Sequence, residues 1–501
     1  MVVSLIGFTA LLVFILVLRV PIAFALATVG FVGYWAIVGA VPALSLSAQI
    51  FTDTVMNYSL SVVPLFILMG NLVSKAGLSH ELYAASHAFL GHRRGGLAMA
   101  TIVACGGFSA ICGSSLATAA TMSKVALPPM RKYGYDDSLA TAAIASGGTL
   151  GILIPPSVIL VIYGFLTETS IRELFAAGFL PGLLGILLYI VAVKFVVTRT
   201  PSAGPRAERV AWPQRWAALA GVFGTLTLFV VVIGGIYVGL FTPTEAAGVG
   251  AAGAYFIALY RRSLDWKSLM EVLIDTARTT AMLFTILIGA VVFAEFVNRA
   301  GLPDGLKDLV TGFEVAPLVV MLIIIAIYIV LGCVFESLSM LLLTIPVFFP
   351  IVVGLDFGMP RDQIAVWFGI IAVVVTEISL ITPPVGLNVF VLSSVLPDVK
   401  TSTIFKGVTP FWVVDIVRLG ILMLVPTISL FLPNWFYHCE RTSGFLYDLV
   451  CPAKEKEKTA IAPPAARQSR TQAGAEASIL AGSFDGYRIV ANKLPAITRG
   501  P

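Results

Sequence analysis

Apolar runs of about the 20 residues that a helix needs to cross a bilayer core recur along the chain near 2–18, 21–40, 59–76, 138–165, 174–198, 216–240, 245–260, 276–297, 363–396 and 408–433, predicting about 10 transmembrane helices. Two further apolar stretches, near 95–130 and 315–353, are too long for one span. Each is interrupted midway, the first by Gly113-Ser114-Ser115 and the second by Glu336-Ser337-Leu338-Ser339. Between the runs lie two amphipathic stretches, LSHELYAASHAFL at 78–90 and LPDGLKDLVTGF at 302–313, each just before one of the long stretches. Their mixed faces suit helices lying in the interface plane, and ordinary connectors fit them equally.

The sparse charges decide what the two long stretches do. His92-Arg93-Arg94 precedes the first and Arg131-Lys132 follows it, so both flanks read as cytoplasmic under the positive-inside tendency. A segment of that length with both ends inside is a re-entrant hairpin. The second has acidic flanks, Asp304, Asp308 and Glu314 before it and Asp356 and Asp362 after, and is expected to dip in from the outside. Threading ten spans with these two hairpins places 17 Lys/Arg inside and 4 outside, with Lys124 and Arg418 left within membrane segments. Both termini then lie outside. The first run, Met1 to Leu18, has no basic leader and no small-residue cleavage site, which predicts a retained span rather than a removed signal peptide.

The chain also repeats itself. SKAGLSHEL at 74–82 returns as NRAGLPDGL at 298–306, ILIPPS at 152–157 returns as LITPPV at 380–385, and Val20-Pro21 matches Thr242-Pro243. The offsets are 222, 224 and 228 from the first landmark to the last, so order and spacing are kept. Each repeat then holds five crossings and one hairpin. An odd number of crossings forces the two into opposite orientations, which is an inverted-topology repeat with a broken element in each half, the pattern of secondary transporters. A large scaffold or a channel built by duplication is the alternative. The predicted organisation is a first repeat over 1–200 (three scaffold spans, the cytoplasmic-side hairpin, two further spans), a cytoplasmic linker at 201–215, a second repeat over 216–434 with its hairpin from the opposite side, and a tail at 435–501. The fold class is thus an all-α polytopic membrane protein.

Composition agrees and excludes other classes. Apolar residues make up 58% of the 501, charged residues 12%, and mean hydropathy is +0.96, far from a water-soluble enzyme or a disordered chain. The net charge of +5 divides into +2 over residues 1–434 and +3 over 435–501, leaving no basic face for nucleic acid. The tail is polar and rich in Ala and Pro, with KEKEK at 454–458, and is expected to be disordered. The five cysteines (Cys105, Cys112, Cys333, Cys439, Cys451) show no CxxC spacing, and His80, His87, His92 and His438 have no partner at metal-ligand spacing. No nucleophile-elbow, zinc-protease or phosphate-loop motif supports an enzyme.

The available chemistry lies midway through the spans. Pro155-Pro156 and Pro383-Pro384 fall inside apolar runs, where proline removes a backbone donor and clashes with the preceding turn. The helices should unwind there. Carbonyls freed inside a membrane must be buried or must coordinate something, and hard cations favour oxygen ligands. Gly148, Gly151 and Pro155 beside the first break, with Ser109, Gly113, Ser114 and Ser115 at the first hairpin tip, make one candidate Na⁺ site. Thr376, Thr382, Pro383 and Gly386 beside the second break, with Ser337 and Ser339 at the second tip, make the other. Small and hydroxyl residues also simply permit tight helix packing. The tips expose helix N-termini suited to an anionic substrate, for which Ser115, Thr118, Pro156, Ser339, Pro384 and Asn388 are candidate contacts. Lys124 is expected to snorkel to the inner surface. Glu245, Glu295, Glu336 and Glu377, in or near membrane segments, are functional candidates by default, with Glu336 and Glu377 flanking the second constellation. Asp415 and Arg418, three residues apart on one helix face, read as a structural ion pair.

The segments PLFILMGNLVSKAGL (64–78), GGFSAICGSSLATAATM (106–122), GGTLGILIPPSVILVIYG (147–164), FTPTEAAGVG (241–250), LGCVFESLSMLLLTIPVFFPI (331–351) and EISLITPPVGLNVFVLSS (377–394) together resemble the large membrane subunit of tripartite ATP-independent periplasmic (TRAP) transporters, the DctM-like permeases. The resemblance covers about residues 1–434. It implies an elevator-type transporter of the bacterial inner membrane, importing an organic acid such as a C4-dicarboxylate with Na⁺ as coupling ion. It further implies two separate partners, a small four-helix DctQ-like membrane subunit and a periplasmic DctP-like solute-binding protein. Carried over by position, the hairpin serines and the Pro-Pro breaks would hold Na⁺ in each repeat; proton coupling through Glu336 or Glu377 is the alternative. Such permeases stop near Phe431-Leu432-Pro433, so the tail departs from the pattern.

Overall fold

The computed structural model describes residues 2–312, 315–333 and 335–437. Every regular element among the described residues is helical. Six helices have by themselves the length and apolarity to cross a bilayer: Tyr58–Lys75 (beginning with a short 3₁₀ turn), Ile171–Arg199, Trp212–Val238, Trp266–Arg299, Arg361–Ser379 and Thr401–Leu424. The other predicted spans are shorter helices, helices in two pieces or, at Pro243–Tyr260, an 18-residue helix of lower apolarity.

Local chemistry explains where the helices start and stop. Pro243 occupies a first-turn position, where its missing N–H costs nothing, and Thr242 and Glu245 close a reciprocal capping box ahead of Pro243–Tyr260. Asp265 caps the 34-residue helix Trp266–Arg299, and hydrogen bonds from the Ser268 hydroxyl and N–H hold its carboxyl below the usual carboxylate range. The run at 408–433 is cut at Val425-Pro426 into Thr401–Leu424 and Thr427–Tyr437, because the residue before a proline is pushed out of the helical region. The linker expected at 201–215 is shorter, since helix Trp212–Val238 begins inside it with Pro213 in its first turn. Trp435, Phe436 and Tyr437, the first residues of the expected tail, belong to helix Thr427–Tyr437, and residues 438–501 lie outside the described residues.

Hydropathy missed one helix altogether. Ala40–Val55, separated from Ile22–Val38 by Gly39 at φ 94°, packs on Ile22–Val38 and on Trp266–Arg299. Its sequence, AVPALSLSAQIFTDTV, carries too many hydroxyl and amide side chains to read as an apolar run.

Helix order recurs in the two halves. Ile22–Val38 corresponds to Pro243–Tyr260, Leu78–Leu90 to Leu302–Gly312, the hairpin arms Gly96–Cys112 and Ser115–Lys132 to Pro317–Leu331 and Ser337–Val353, and Ile171–Arg199 to Thr401–Leu424. Where the first half has Ala40–Val55 followed by Val62–Lys75, the second has the single helix Trp266–Arg299. The scaffold pairings are exchanged between halves: Ile22–Val38 packs on Trp266–Arg299, while its counterpart Pro243–Tyr260 packs on Val62–Lys75. Glycine makes the first of these close. A Cβ at Gly30 would stand 2.6 Å from the Phe293 nitrogen, and one at Gly289 would stand 2.5 Å from the Ala23 carbonyl.

Three of the basic residues that the threading places inside form ion pairs between elements. Lys75 reaches Glu271 at 2.9 Å, Arg261 reaches Glu81 at 2.7 Å, and Arg131 reaches Asp137 at 2.8 Å and Asp398 at 2.7 Å. The last two tie the end of the first hairpin to the first residue of the next helix and to the loop before Thr401–Leu424. Lys124 is exposed.

Candidate functional site

The apolar run at 138–165 is two helices, Asp137–Thr149 and Val158–Thr167, joined by a 3₁₀ turn at Leu150–Ile152 and a non-helical passage through Pro155-Pro156. Ser157 restarts the helix by accepting a hydrogen bond from the Leu160 N–H at 3.2 Å. The run at 363–396 breaks in the same way into Arg361–Ser379 and Leu387–Val395, with Gly386 at φ 55° ahead of the second piece. Both Pro-Pro peptide bonds are cis.

Each hairpin tip packs on the break of its own half. In the first, the arms meet at Gly113, at φ 67°, and Ser114 caps the returning arm by accepting from the Ala117 N–H. Gly151 lies directly against Ser109, and a Cβ at Gly148 would stand 3.1 Å from the Ser115 carbonyl. In the second, Gly332 lies directly against Ser379, and the Cys333 thiol is 3.9 Å from the Pro383 carbonyl. The glycine is therefore on the break in one half and on the hairpin in the other, and the serine changes places with it.

Several hydroxyls direct their protons back into their own helices and leave oxygen lone pairs as acceptors. Ser109 donates to the Cys105 carbonyl at 2.6 Å, Thr376 to Val373 at 2.7 Å, Ser379 to Thr376 at 2.6 Å and Thr382 to Ile378 at 2.7 Å. Thr382 already accepts from the Trp412 indole N–H at 2.9 Å. Ser115 and Thr118 are buried, and the Ser115 hydroxyl has no hydrogen-bond partner among the described residues. Oxygen acceptors beside freed backbone are a donor set for a hard cation.

The two tips meet across a cavity of about 250 Å³. Gly113, Ser114, Ser115, Glu336 and Ser337 line it from the hairpins, Ile152, Val158 and Leu380 from the breaks, and Asn71, Thr279 and Met282 from helices Val62–Lys75 and Trp266–Arg299. The starts of Ser115–Lys132, Ser337–Val353 and Val158–Thr167 all border it, so three helix N-termini bring partial positive charge to a cavity whose lining, among the described residues, includes no Lys, Arg or His. The remaining candidates sit elsewhere. Ser339 is buried behind the tip and donates to Glu336 at 3.3 Å. Pro156 faces Met69 and Leu228, Pro383 borders a separate cavity with Phe405 and Trp412, and Pro384 is exposed. Asn388 is fully buried and donates to the Ala145 carbonyl of the first half at 3.0 Å, leaving its own carbonyl oxygen without a partner. The sequence reading missed Asn71, Thr279 and Met282. Asn71 alone carried a signal, a polar amide within the third span.

The four glutamates have separate fates. Glu245 is occupied in its capping box, Glu295 is part-buried outside the cavity lining, and Glu336 faces the cavity. Glu377 joins Asp415 and Arg418 in a fully buried cluster, where the guanidinium lies 3.2 Å from Asp415 and 3.6 Å from Glu377. The pair read from the i, i+3 spacing is thus part of a triad.

A helical bundle with paired broken helices and paired hairpin tips that meet at a shared cavity has the architecture of a polytopic membrane protein. The crystal structure of the YdaH transporter of Alcanivorax borkumensis has a similar fold, with a TM-score of 0.56 over 79% of this chain and 90% of that one at 15% identity. Residues 8–428 match the family model of the tripartite ATP-independent periplasmic transporter, DctM component, and the chain belongs to that family as a TRAP transporter large permease. Among its relatives are the C4-dicarboxylate TRAP transporter large permease protein DctM of Pseudomonas aeruginosa, 37% identical over 78% of this chain and 90% of the relative, and the sialic acid TRAP transporter large permease protein SiaM of Vibrio cholerae, 34% identical over the same shares.

Proposed function

We propose that this permease imports an organic acid, a C4-dicarboxylate or another carboxylate, in symport with Na⁺ across a bacterial inner membrane. A periplasmic solute-binding protein delivers the substrate, and a small four-helix membrane subunit braces the permease. The two halves are inverted repeats, and both termini are periplasmic. The hairpins and broken helices move as one elevator-like body against the scaffold spans.

The observation that carries this reading is the pair of tip-and-break constellations meeting at one cavity. Three helix N-termini suit a carboxylate there. Cations seated among the acceptor oxygens of Ser109, Thr376 and Ser379 would supply the remaining positive charge, which no basic side chain among the described residues of the lining provides. The scaffold side, with Asn71 held 3.0 Å from Thr276, offers the surface past which the cavity moves. Ion and substrate must favour the same loaded state for the gradient to drive import.

Reconstitution tests this. Uptake of a labelled carboxylate into proteoliposomes is expected to require an inward Na⁺ gradient together with both partner proteins, and uptake at equal rate without Na⁺ would rule the coupling out. The position of Glu336 on the cavity favours one second reading, proton coupling. In that case Glu336→Gln removes the response to a pH gradient, whereas under Na⁺ coupling the Na⁺ requirement persists in the variant.

A further inference from the structure

We propose that Thr149, Tyr189, Asp415, Arg418 and Glu377 form a buried strut that holds the two Pro-Pro breaks in a common register, so that a change at either tip-and-break pair is felt at the other. Thr149 is the last residue of its helix before the first break, and its hydroxyl stands 3.2 Å from the Tyr189 phenol. Tyr189, on Ile171–Arg199, donates to Asp415 on Thr401–Leu424. One turn further along, Arg418 closes on Asp415 and reaches across to Glu377. Glu377 lies in the last turn before the second break, between Thr376 and Ser379. All five side chains are buried to 1% exposure or less. The chain of contacts runs from one break to the other through the last long helix of each half.

Packing alone does not explain this arrangement. Replacing buried ion pairs by hydrocarbon of similar volume is often neutral or stabilising, so a helix contact here is served as well by leucine. What ions and hydroxyls add is direction. The guanidinium is fitted closely into its place: a Cβ at Gly185 would stand 2.2 Å from one of its nitrogens, and the Tyr189 ring lies 5.9 Å from its carbon. A displacement of Glu377 therefore moves Arg418 and Asp415, and through Tyr189 reaches Thr149. These are positioning residues, none of which lines the cavity. The proposal rests on the functional reading only in taking the two tip-and-break pairs as the binding region.

The cysteines at the tips, Cys112 and Cys333, report on each end separately. In the full purified chain, with Cys105 replaced by alanine, Cys439 and Cys451 by serine and only one tip cysteine retained, maleimide labelling rates are measured for variants at the far end. Tyr189→Phe keeps the ring against Phe411 and loses the hydroxyl bridge. It is expected to change the labelling of Cys333, at the other end of the strut, at least three-fold. Thr149→Val removes the same bridge from its other end and decides the matter should Tyr189→Phe fail to fold. Effects confined to the near cysteine, or a lowered melting temperature with unchanged far labelling, would overturn the proposal. The measurement needs neither a Na⁺ gradient nor substrate, so its failure is distinguishable from failure of Na⁺ coupling.

Discussion

Gly151 approaches Ser109 so closely that a Cβ on the glycine would stand 1.9 Å from the serine oxygen, and the second half repeats the contact with the residue types exchanged, Ser379 against Gly332. Each hairpin is thereby locked onto its break by one serine and one absent side chain. Gly151→Ala is expected to cost about 1–3 kcal/mol through overpacking. Gly151→Ser combined with Ser109→Gly, which copies the second half's arrangement, should recover much of that loss. Thermal unfolding of the purified variants checks both, and equal destabilisation of single and double variants would contradict the exchange.

The buried triad predicts an asymmetry among its members. Arg418→Met strands two carboxylates in the core and is expected to destabilise by about 3–5 kcal/mol. Glu377→Gln leaves the Arg418–Asp415 pair balanced and should fold. Recovery of monodisperse protein and its melting temperature distinguish the two, and replacing all three residues with apolar side chains of similar volume should restore folding to the Arg418→Met chain.

Asn388 links the second break to the first half through the Ala145 carbonyl. Asn388→Leu leaves that carbonyl without the side-chain partner in a fully buried setting and is expected to cost about 1–3 kcal/mol. Asn388→Asp removes the donating amide, so it should not rescue. Melting temperatures of the two variants, measured side by side, check this.

The Lys75–Glu271 pair provides a control. Both side chains are about half exposed, so Lys75→Met should change stability by under about 1 kcal/mol. Unchanged melting and unchanged uptake are the expected results.

Much of the site was legible before the structure because proline and glycine act locally. Proline removes a backbone donor and crowds the preceding turn, so the breaks at Pro155-Pro156 and Pro383-Pro384 followed from sequence alone, as did the hairpin tip at Gly113. Ala40–Val55 was missed because a helix with a mixed face leaves no apolar run, and it is held by packing on its neighbours. Candidate contacts spread further than the cavity: Asn388 and Pro384 are neighbours of the second break in sequence, yet the turn there directs one into the protein interior and the other outward.

The sequence by itself determined the membrane class, the repeated order of elements, the two hairpins and the two breaks, since hydropathy, charge placement and proline geometry act over a few residues at a time. Only the tertiary structure decided which side chains meet. Asn71 joins the cavity from a span more than 200 residues away from Glu336, and Asp415–Arg418, a plausible pair on one helix, becomes a triad because packing brings Glu377 to the same guanidinium. Those meetings depend on the positions of whole helices, to which every contact along their lengths contributes, and no local pattern records them.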